Sequence, residues 1–158
     1  MTSSPKKLLF VCSGNICRSP MAEGMARTFG EQSGIAVDVQ SAGTLGIEDH
    51  PAHERIVQAC AKVGVDVYGH RSQGITDELV EWADMVLVME LAHAEFIREH
   101  HPHIGEKMFM LGNFGGLHEI DDPIGGWWFA YGRSREEVER CVRGLLSRIG
   151  GNSSPNQA

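Results

Sequence analysis

Short apolar runs alternate along this chain with longer segments whose apolar residues recur every three to four positions. Uninterrupted short runs are typical of buried parallel strands, and the longer period is typical of helices with one buried face. The pattern predicts strands at 7–12, 35–40, 84–89 and 107–111, and helices at 18–29, 51–63, 76–82, 92–100 and 134–149. Thr76 is expected to cap the third helix, and Ser134 with Glu137 forms a capping box that predicts the start of the last.

Strands that alternate with helices predict an α/β domain, in which helices cover both faces of a parallel sheet. With 158 residues, one domain is expected. We expect it to span 6–150, with flexible tails at 1–5 and 151–158. Such sheets bind ligands at the carboxyl ends of their strands, near a switch point in strand order. Cys12 stands at the end of the first predicted strand, where a ligand is therefore expected.

The segment 11–20 reads V-C-S-G-N-I-C-R-S-P and joins the first predicted strand to the first predicted helix. Gly14 and Asn15 tolerate left-handed backbone angles, so this loop can point successive N–H groups inward as an anion-binding nest. The guanidinium of Arg18 adds a planar pair of donors for two phosphate oxygens. The residues expected to bind phosphate are Ser13, Gly14, Asn15, Ile16, Cys17 and Arg18.

Cys12 lies directly before this nest, whose positive field favours the thiolate. The hydroxyl of Ser19 is expected to donate a hydrogen bond to this sulfur. A thiolate beneath a bound phosphoryl group attacks phosphorus, and water then hydrolyses the phosphocysteine. An oxygen leaving group needs a proton, so a general acid is expected over the site. A carboxylate in the glycine-rich segment 112–132 is the candidate, since a long loop in a compact domain is usually functional.

The stretch C-S-G-N-I-C-R-S-P-M-A-E-G from Cys12 onward resembles the active-site signature of the low-molecular-weight protein-tyrosine phosphatase family. The resemblance extends to S-A-G-T at 41–44, G-H-R at 69–71, A-D at 83–84 and D-D-P at 121–123, and so covers almost the whole chain. It implies a single phosphatase domain with a flavodoxin-like, doubly wound sheet of four parallel strands. It also implies no metal or organic cofactor.

The resemblance further implies roles for individual residues. Asp122, directly before a proline, matches the general acid, with Asp121 as the neighbouring alternative; turn chemistry is the competing explanation for an Asp-Pro pair. Cys17 matches a cysteine that can pair with the nucleophile and protect it from over-oxidation, unless it is simply a small buried side chain. The residues that match those supporting the loop by hydrogen bonds are Asn15, Ser41 and His70.

Two branches of the family cleave different bonds, the P–O bond of phosphotyrosine and the P–N bond of phosphoarginine. Ile16 favours phosphotyrosine, because an apolar wall suits an aromatic ring and the arginine phosphatases carry threonine there. The stretch D-P-I-G-G at 122–126, in contrast, resembles the arginine branch. The aromatic residues 127–129 either complete the wall or pack the loop onto the core. We expect a phosphotyrosine phosphatase, with protein-arginine phosphatase as the alternative, and a specificity rim of Ile16, Leu45, Ile124, Trp127 and Trp128.

The net charge of −7 argues against a general nucleic-acid or anionic-membrane binder. No apolar run approaches the roughly 20 residues that span a bilayer, so we expect a cytoplasmic protein without membrane insertion. Its four cysteines are then expected to be thiols, with Cys60 and Cys141 in the core. The expected partner is a phosphorylated protein, with inorganic phosphate as product, and the expected state is a monomer or weak dimer.

The sequence supports three other hypotheses less well. An arsenate reductase shares the loop but needs a resolving cysteine pair between the last two strands, where this chain has none. A non-catalytic phosphopeptide-binding module is expected to lack the nucleophile or the acid, and both Cys12 and Asp122 are present. The histidines at 93, 100, 101, 103 and 118 suggest a metal site, although a helix C-terminus favours histidine anyway.

Overall fold

The computed structural model describes residues 4–151, so most of the two predicted tails lies outside the described residues. Within 4–151 the strands are β1 (Lys6–Cys12), β2 (Val37–Gly43), β3 (Met85–Val88) and β4 (Met108–Met110). The helices are α1 (Arg18–Ser33), α2 (Glu54–Ala61), α3 (Asp77–Trp82), α4 (Leu91–His100) and α5 (Trp128–Ile149). Short 3₁₀ turns occupy Pro102–Ile104 and Leu111–Gly115.

The four strands form one parallel sheet in the spatial order β2-β1-β3-β4. The chain leaves β1 toward β2 on one side and returns to β3 on the other, so the switch point lies at the carboxyl end of β1. Cys12 pairs with Gly43 at that end. The predicted parallel α/β sheet is therefore confirmed, and the loop that follows Cys12 occupies the crevice where such sheets bind ligands.

Helices cover both faces of the sheet. Because successive side chains of β1 point to opposite faces, this strand contributes to a core cluster on each side. Leu8 and Phe10 belong to a core cluster with residues of α1, α2 and α5. Leu9 and Val11 belong to a second cluster with residues of α3 and α4. The first cluster includes the buried Cys60 and Cys141, as predicted. No helix among residues 4–151 is long and apolar enough to span a bilayer.

The predicted start of the last helix is wrong. α5 begins at Trp128, and Ser134 is a buried residue inside the helix rather than its cap. The side chain of Tyr131 is 6% exposed, and its ring stacks on His53 with the centroids 4.9 Å apart. Because this packing orders the segment before Ser134, the helix includes Gly132, although an interior glycine costs about 1 kcal/mol. The loop before α5 is correspondingly shorter than predicted.

Two local predictions had different outcomes. Thr76 caps α3 as predicted, since its Oγ1 accepts the N–H of Leu79 at 3.1 Å. β2 continues to Gly43, so Ser41 lies in the strand, beyond its predicted end at residue 40. This longer strand brings Ser41 beside the loop that follows β1.

Candidate active site

The loop between β1 and α1 turns its carbonyl groups away from its centre. The carbonyl oxygens of Cys12 and Ser13 accept the backbone N–H groups of Thr44 and Leu45 at 3.0 and 2.9 Å. Asn15 has a φ of 58°, in the left-handed region, and its N–H points at Cys12 Sγ at 3.3 Å. A loop whose carbonyls are engaged on the outside can present its N–H groups to an anion at its centre.

Gly43, at the end of β2, permits this close contact between strand and loop. A Cβ atom at position 43 would lie 2.6 Å from the carbonyl oxygen of Ser13 and 3.0 Å from the backbone nitrogen of Asn15. Both neighbours are backbone atoms, so a side chain there would displace the loop itself.

A chain of hydrogen bonds with a defined direction supports Cys12. Asn15 Oδ1 accepts the N–H of Gln73 at 2.9 Å, which assigns the donor role to Asn15 Nδ2. Nδ2 then donates to Ser19 Oγ at 2.8 Å and to Ser41 Oγ at 2.9 Å. Since Ser19 Oγ already accepts this bond, its own proton is available to Cys12 Sγ, 2.9 Å away. The direction of the chain therefore points the hydroxyl proton of Ser19 at Cys12 Sγ.

Further contacts extend this support beyond the loop. Ser41 Oγ donates to a carboxylate oxygen of Glu23, and His70 Nε2 donates to the carbonyl oxygen of Asn15 at 2.7 Å. The structure thus brings Asn15, Ser41 and His70 together, as their predicted supporting role requires. Sequence reasoning missed Glu23 and Gln73, because both look like ordinary surface residues; the place of Glu23 in the motif M-A-E-G was the available signal.

Arg18 is only 1% exposed, and one edge of its guanidinium is firmly held. Nη1 pairs with the carboxylate of Glu90 and donates to the carbonyl oxygen of Ile120 at 2.8 Å. Nη2 makes longer contacts, 3.4 Å to Ser13 Oγ and 3.6 Å to Asp122 Oδ2. Nε is buried and has no partner among the described residues. An unpartnered buried donor costs about 1–3 kcal/mol, a cost that an acceptor such as a bound anion would remove.

Asp122 makes a turn contact and also faces Arg18, and its role as general acid stays a prediction. Its Oδ1 accepts the N–H of Ile124 at 3.0 Å, which is turn chemistry, and its Oδ2 faces Arg18. The side chain is 38% exposed, so a proton can reach it from solvent. Asp122, and not Asp121, is among the described residues around the cavity over Cys12.

This cavity has a volume of about 130 Å³. Its rim is aliphatic, and of the predicted specificity residues it includes Ile16, Leu45 and Ile124. Trp127 and Trp128 are 76% and 73% exposed; they neither border the cavity nor pack onto the core. Trp128 borders a separate cleft. The full lining of the cavity is Cys12, Ser13, Gly14, Ile16, Cys17, Arg18, Leu45, Ile47, Asp122 and Ile124.

Cys17 is a buried thiol at the start of α1. Burial, with smaller contributions from the negative charges of Asp122 and Cys12, raises its pKa to about 12 against the opposing charge of Arg18. It is therefore protonated at neutral pH. Because the attacking group in disulfide formation is a thiolate, the raised pKa makes Cys17 a poor attacking group. Its redox role stays a prediction, and it requires Cys12 to be oxidised first.

His93 is a site residue that sequence reasoning grouped wrongly with the other histidines. It is 3% exposed, its Nδ1 accepts the backbone N–H of Glu90 at 3.1 Å, and its Nε2 lies 2.9 Å from Ser13 Oγ. Burial and, to a smaller extent, the charge of Arg18 lower its pKa to about 4, against the carboxylates of Glu90, Asp122 and Glu119. Among residues 4–151 no group of three or more potential ligands could hold a metal.

We expect His93 to make the fold sensitive to acid. Unfolded histidine titrates near 6.5, so between pH 4 and 6.5 the unfolded chain binds more protons than the folded one. This contribution to stability is fully present above about pH 6.5 and decreases as the pH falls toward 4. Urea unfolding at pH 7 and pH 4.5 should show a loss about 2 kcal/mol larger in the wild type than in His93→Gln. An equal loss in both proteins would contradict this assignment.

Comparisons with known proteins agree with this geometry. The family model described as low molecular weight phosphotyrosine protein phosphatase matches residues 7–154. A probable low molecular weight protein-tyrosine-phosphatase, EpsP, from Ralstonia nicotianae is 38% identical over 144 residues, covering 91% of this chain and 96% of that protein. A protein-arginine-phosphatase from Bacillus subtilis is 34% identical over 144 residues, covering 90% and 95%.

A solved structure shares the whole fold. It is a cysteine-to-serine mutant of the arginine phosphatase YwlE with a phosphorylated active-site serine. The TM-score is 0.86 at 34% sequence identity, and the match covers 91% of this chain and 95% of that one.

Proposed function

This chain belongs to the low molecular weight phosphotyrosine protein phosphatase family, and on that premise we propose that it hydrolyses phosphotyrosine in proteins through a phosphocysteine on Cys12. Arg18 binds the phosphoryl group and stabilises the transition state, and Asp122 is the general acid. The observation that carries the proposal is Arg18 itself, which borders the cavity over Cys12 and whose buried Nε has no partner among the described residues. A dianionic phosphoryl group supplies acceptors both for this edge and for the N–H groups of the loop.

The first half-reaction breaks the bond between phosphorus and the tyrosine oxygen. The thiolate of Cys12 attacks phosphorus from beneath, while Asp122 donates its proton to the departing oxygen. The thiolate is favoured here because its two close partners, the N–H of Asn15 and Ser19 Oγ, both donate to it. The products are a free tyrosine side chain and a phosphocysteine.

The second half-reaction regenerates the enzyme. Asp122, now a carboxylate, accepts a proton from water, whose oxygen attacks phosphorus and releases inorganic phosphate and the Cys12 thiolate. The phosphorylated active-site serine in the YwlE mutant supports a covalent phosphoenzyme, because that serine stands where a cysteine was replaced.

The rim of the cavity supports phosphotyrosine. Ile16, Leu45 and Ile124 offer apolar surface to an aromatic ring. Phosphoarginine is the second candidate, because one relative is named a protein-arginine-phosphatase and the D-P-I-G-G stretch at 122–126 resembles that branch. We propose a cytoplasmic location, a phosphorylated protein as partner, and action as a monomer or weak dimer.

A comparison of two peptides that differ only in phosphotyrosine or phosphoarginine tests the substrate. We expect kcat/KM to be at least about tenfold higher for phosphotyrosine, since the aliphatic rim excludes water from a ring but leaves guanidinium donors unpaired. Ile16→Thr should shift this ratio about tenfold toward phosphoarginine. Ile16→Val is the matched control, because valine has the shape of threonine without its hydroxyl.

A higher kcat/KM for phosphoarginine in the wild type would assign the chain to the alternative substrate. Equal shifts in Ile16→Thr and Ile16→Val would assign the effect to side-chain volume and contradict the role of the apolar wall.

A further inference from the structure

Hydrogen-bond directions around His93 determine where the proton of Ser13 points. Resting on the proposed phosphatase function, we propose that Ser13 Oγ donates a hydrogen bond to a non-bridging oxygen of the bound phosphoryl group, and that His93 is the positioning residue that enforces this direction. Ser13 thereby adds a side-chain donor to the backbone N–H groups of the loop.

The tautomer of His93 follows from its contact with Glu90. The backbone nitrogen of Glu90 is a donor, and it lies 3.1 Å from His93 Nδ1, so Nδ1 must be the acceptor. A neutral imidazole carries one ring proton, which is therefore on Nε2. Nε2 lies 2.9 Å from Ser13 Oγ and must donate to it. The capping box at the start of α4, which includes this Glu90–His93 contact, holds the ring in place.

Ser13 Oγ receives a second donor from Arg18, whose Nη2 lies 3.4 Å away. A hydroxyl oxygen has two lone pairs and one proton. With both lone pairs facing donors, the hydroxyl can use its proton only to donate. Ser13 borders the cavity over Cys12, so an oxygen of a ligand in that cavity is the acceptor that the geometry offers.

The neutral tautomer persists over the ordinary working range of pH. Burial and the charge of Arg18 lower the pKa of His93 to about 4, and the opposing carboxylates that face it are those of Glu90, Asp122 and Glu119. The Ser13 hydroxyl is thus oriented before the substrate arrives. Donors oriented in advance need no reorganisation when charge develops on the phosphoryl oxygens.

The test measures the inhibition constant of inorganic phosphate, with p-nitrophenyl phosphate as substrate. Ser13→Ala should weaken phosphate binding roughly tenfold, the effect of a hydrogen bond to a charged group. KM should rise with it, while kcat changes little, because the bond exists in both the ground state and the transition state. His93→Ala should weaken phosphate binding about threefold to fivefold, since the hydroxyl is then free to rotate.

Two further variants separate positioning from a structural role. In His93→Gln, Oε1 can accept the N–H of Glu90 and Nε2 can donate to Ser13, so phosphate affinity should return to within about twofold of the wild type. In the Ser13→Ala background, His93→Ala should weaken phosphate binding no further, because its effect acts through the hydroxyl. Thermal unfolding of each variant establishes that it is folded.

Several outcomes would overturn the inference. Unchanged phosphate affinity in Ser13→Ala would do so, as would a failure of His93→Gln to restore affinity or an undiminished effect of His93→Ala when Ser13 is absent. If the wild type itself hydrolysed no p-nitrophenyl phosphate, the proposed function would fail instead, so the two failures are distinguishable.

Discussion

Cys12→Ser is expected to lower kcat for p-nitrophenyl phosphate by about 10⁵-fold, measured without added metal. The two close partners of Cys12 Sγ, the N–H of Asn15 and Ser19 Oγ, both act as donors in this site. Such surroundings stabilise an anion but do not remove a proton, so a serine hydroxyl at position 12 would remain a neutral, weak nucleophile. The variant should still bind inorganic phosphate, because Arg18 and the loop N–H groups remain.

Cys60→Ala is the matched control for this variant. It removes another buried thiol, in α2, and should retain kcat to within about twofold. Residual activity of more than about one per cent in Cys12→Ser would mean that another group is the nucleophile. Loss of phosphate binding together with activity would instead indicate that the loop has changed shape.

Asp122→Asn is expected to have an effect that depends on the leaving group. With phenyl phosphate, whose phenolate leaves poorly without a proton, kcat should fall about 10³-fold. With p-nitrophenyl phosphate, whose leaving group departs as a stable anion, the fall should be about tenfold. Asparagine retains an Oδ1 that can accept the N–H of Ile124, so the turn seen in the structure is preserved.

Asp121→Asn is the control, since Asp121 is the exposed neighbour and does not border the cavity. It should leave both rates within about twofold of the wild type. Equal losses for the two substrates in Asp122→Asn would contradict the general-acid role and assign the effect to phosphocysteine hydrolysis, which both substrates share, or to a structural change. A large loss in Asp121→Asn would transfer the acid role to that residue.

Local features of the sequence accounted well for the strands and for the central loop. The apolar run of β1, the left-handed tolerance of Asn15 and the helix that follows Arg18 all depend on residues close together in the chain. The start of α5 was missed because the aromatic and glycine residues before Ser134 have no helical pattern. Their helix depends on Tyr131 stacking against His53, a contact between distant segments.

The same distinction between local features and contacts of distant segments applies to the candidate active site. Residues 12–19 hold the proposed nucleophile, the loop and the guanidinium within one short segment, so their proximity was predictable from sequence. The groups that orient them were not. Glu90 and Ile120 reach Arg18 from 72 and 102 residues away, and His93 reaches Ser13 from 80. Their roles are invisible in a sequence pattern, since glutamate and histidine at a helix start are ordinary capping residues.

The sequence alone therefore determined the parallel α/β class and the placement of Cys12 and Arg18 at the two ends of one loop, because backbone tolerance and side-chain chemistry are local properties. Only the tertiary structure decided that Glu90 and Ile120 hold Nη1 of Arg18, that His93 contacts Ser13, and that Ile16, Leu45 and Ile124 rather than the tryptophans border the cavity. These outcomes depend on the sheet order β2-β1-β3-β4, which brings the end of β3 and the start of α4 against the loop after β1.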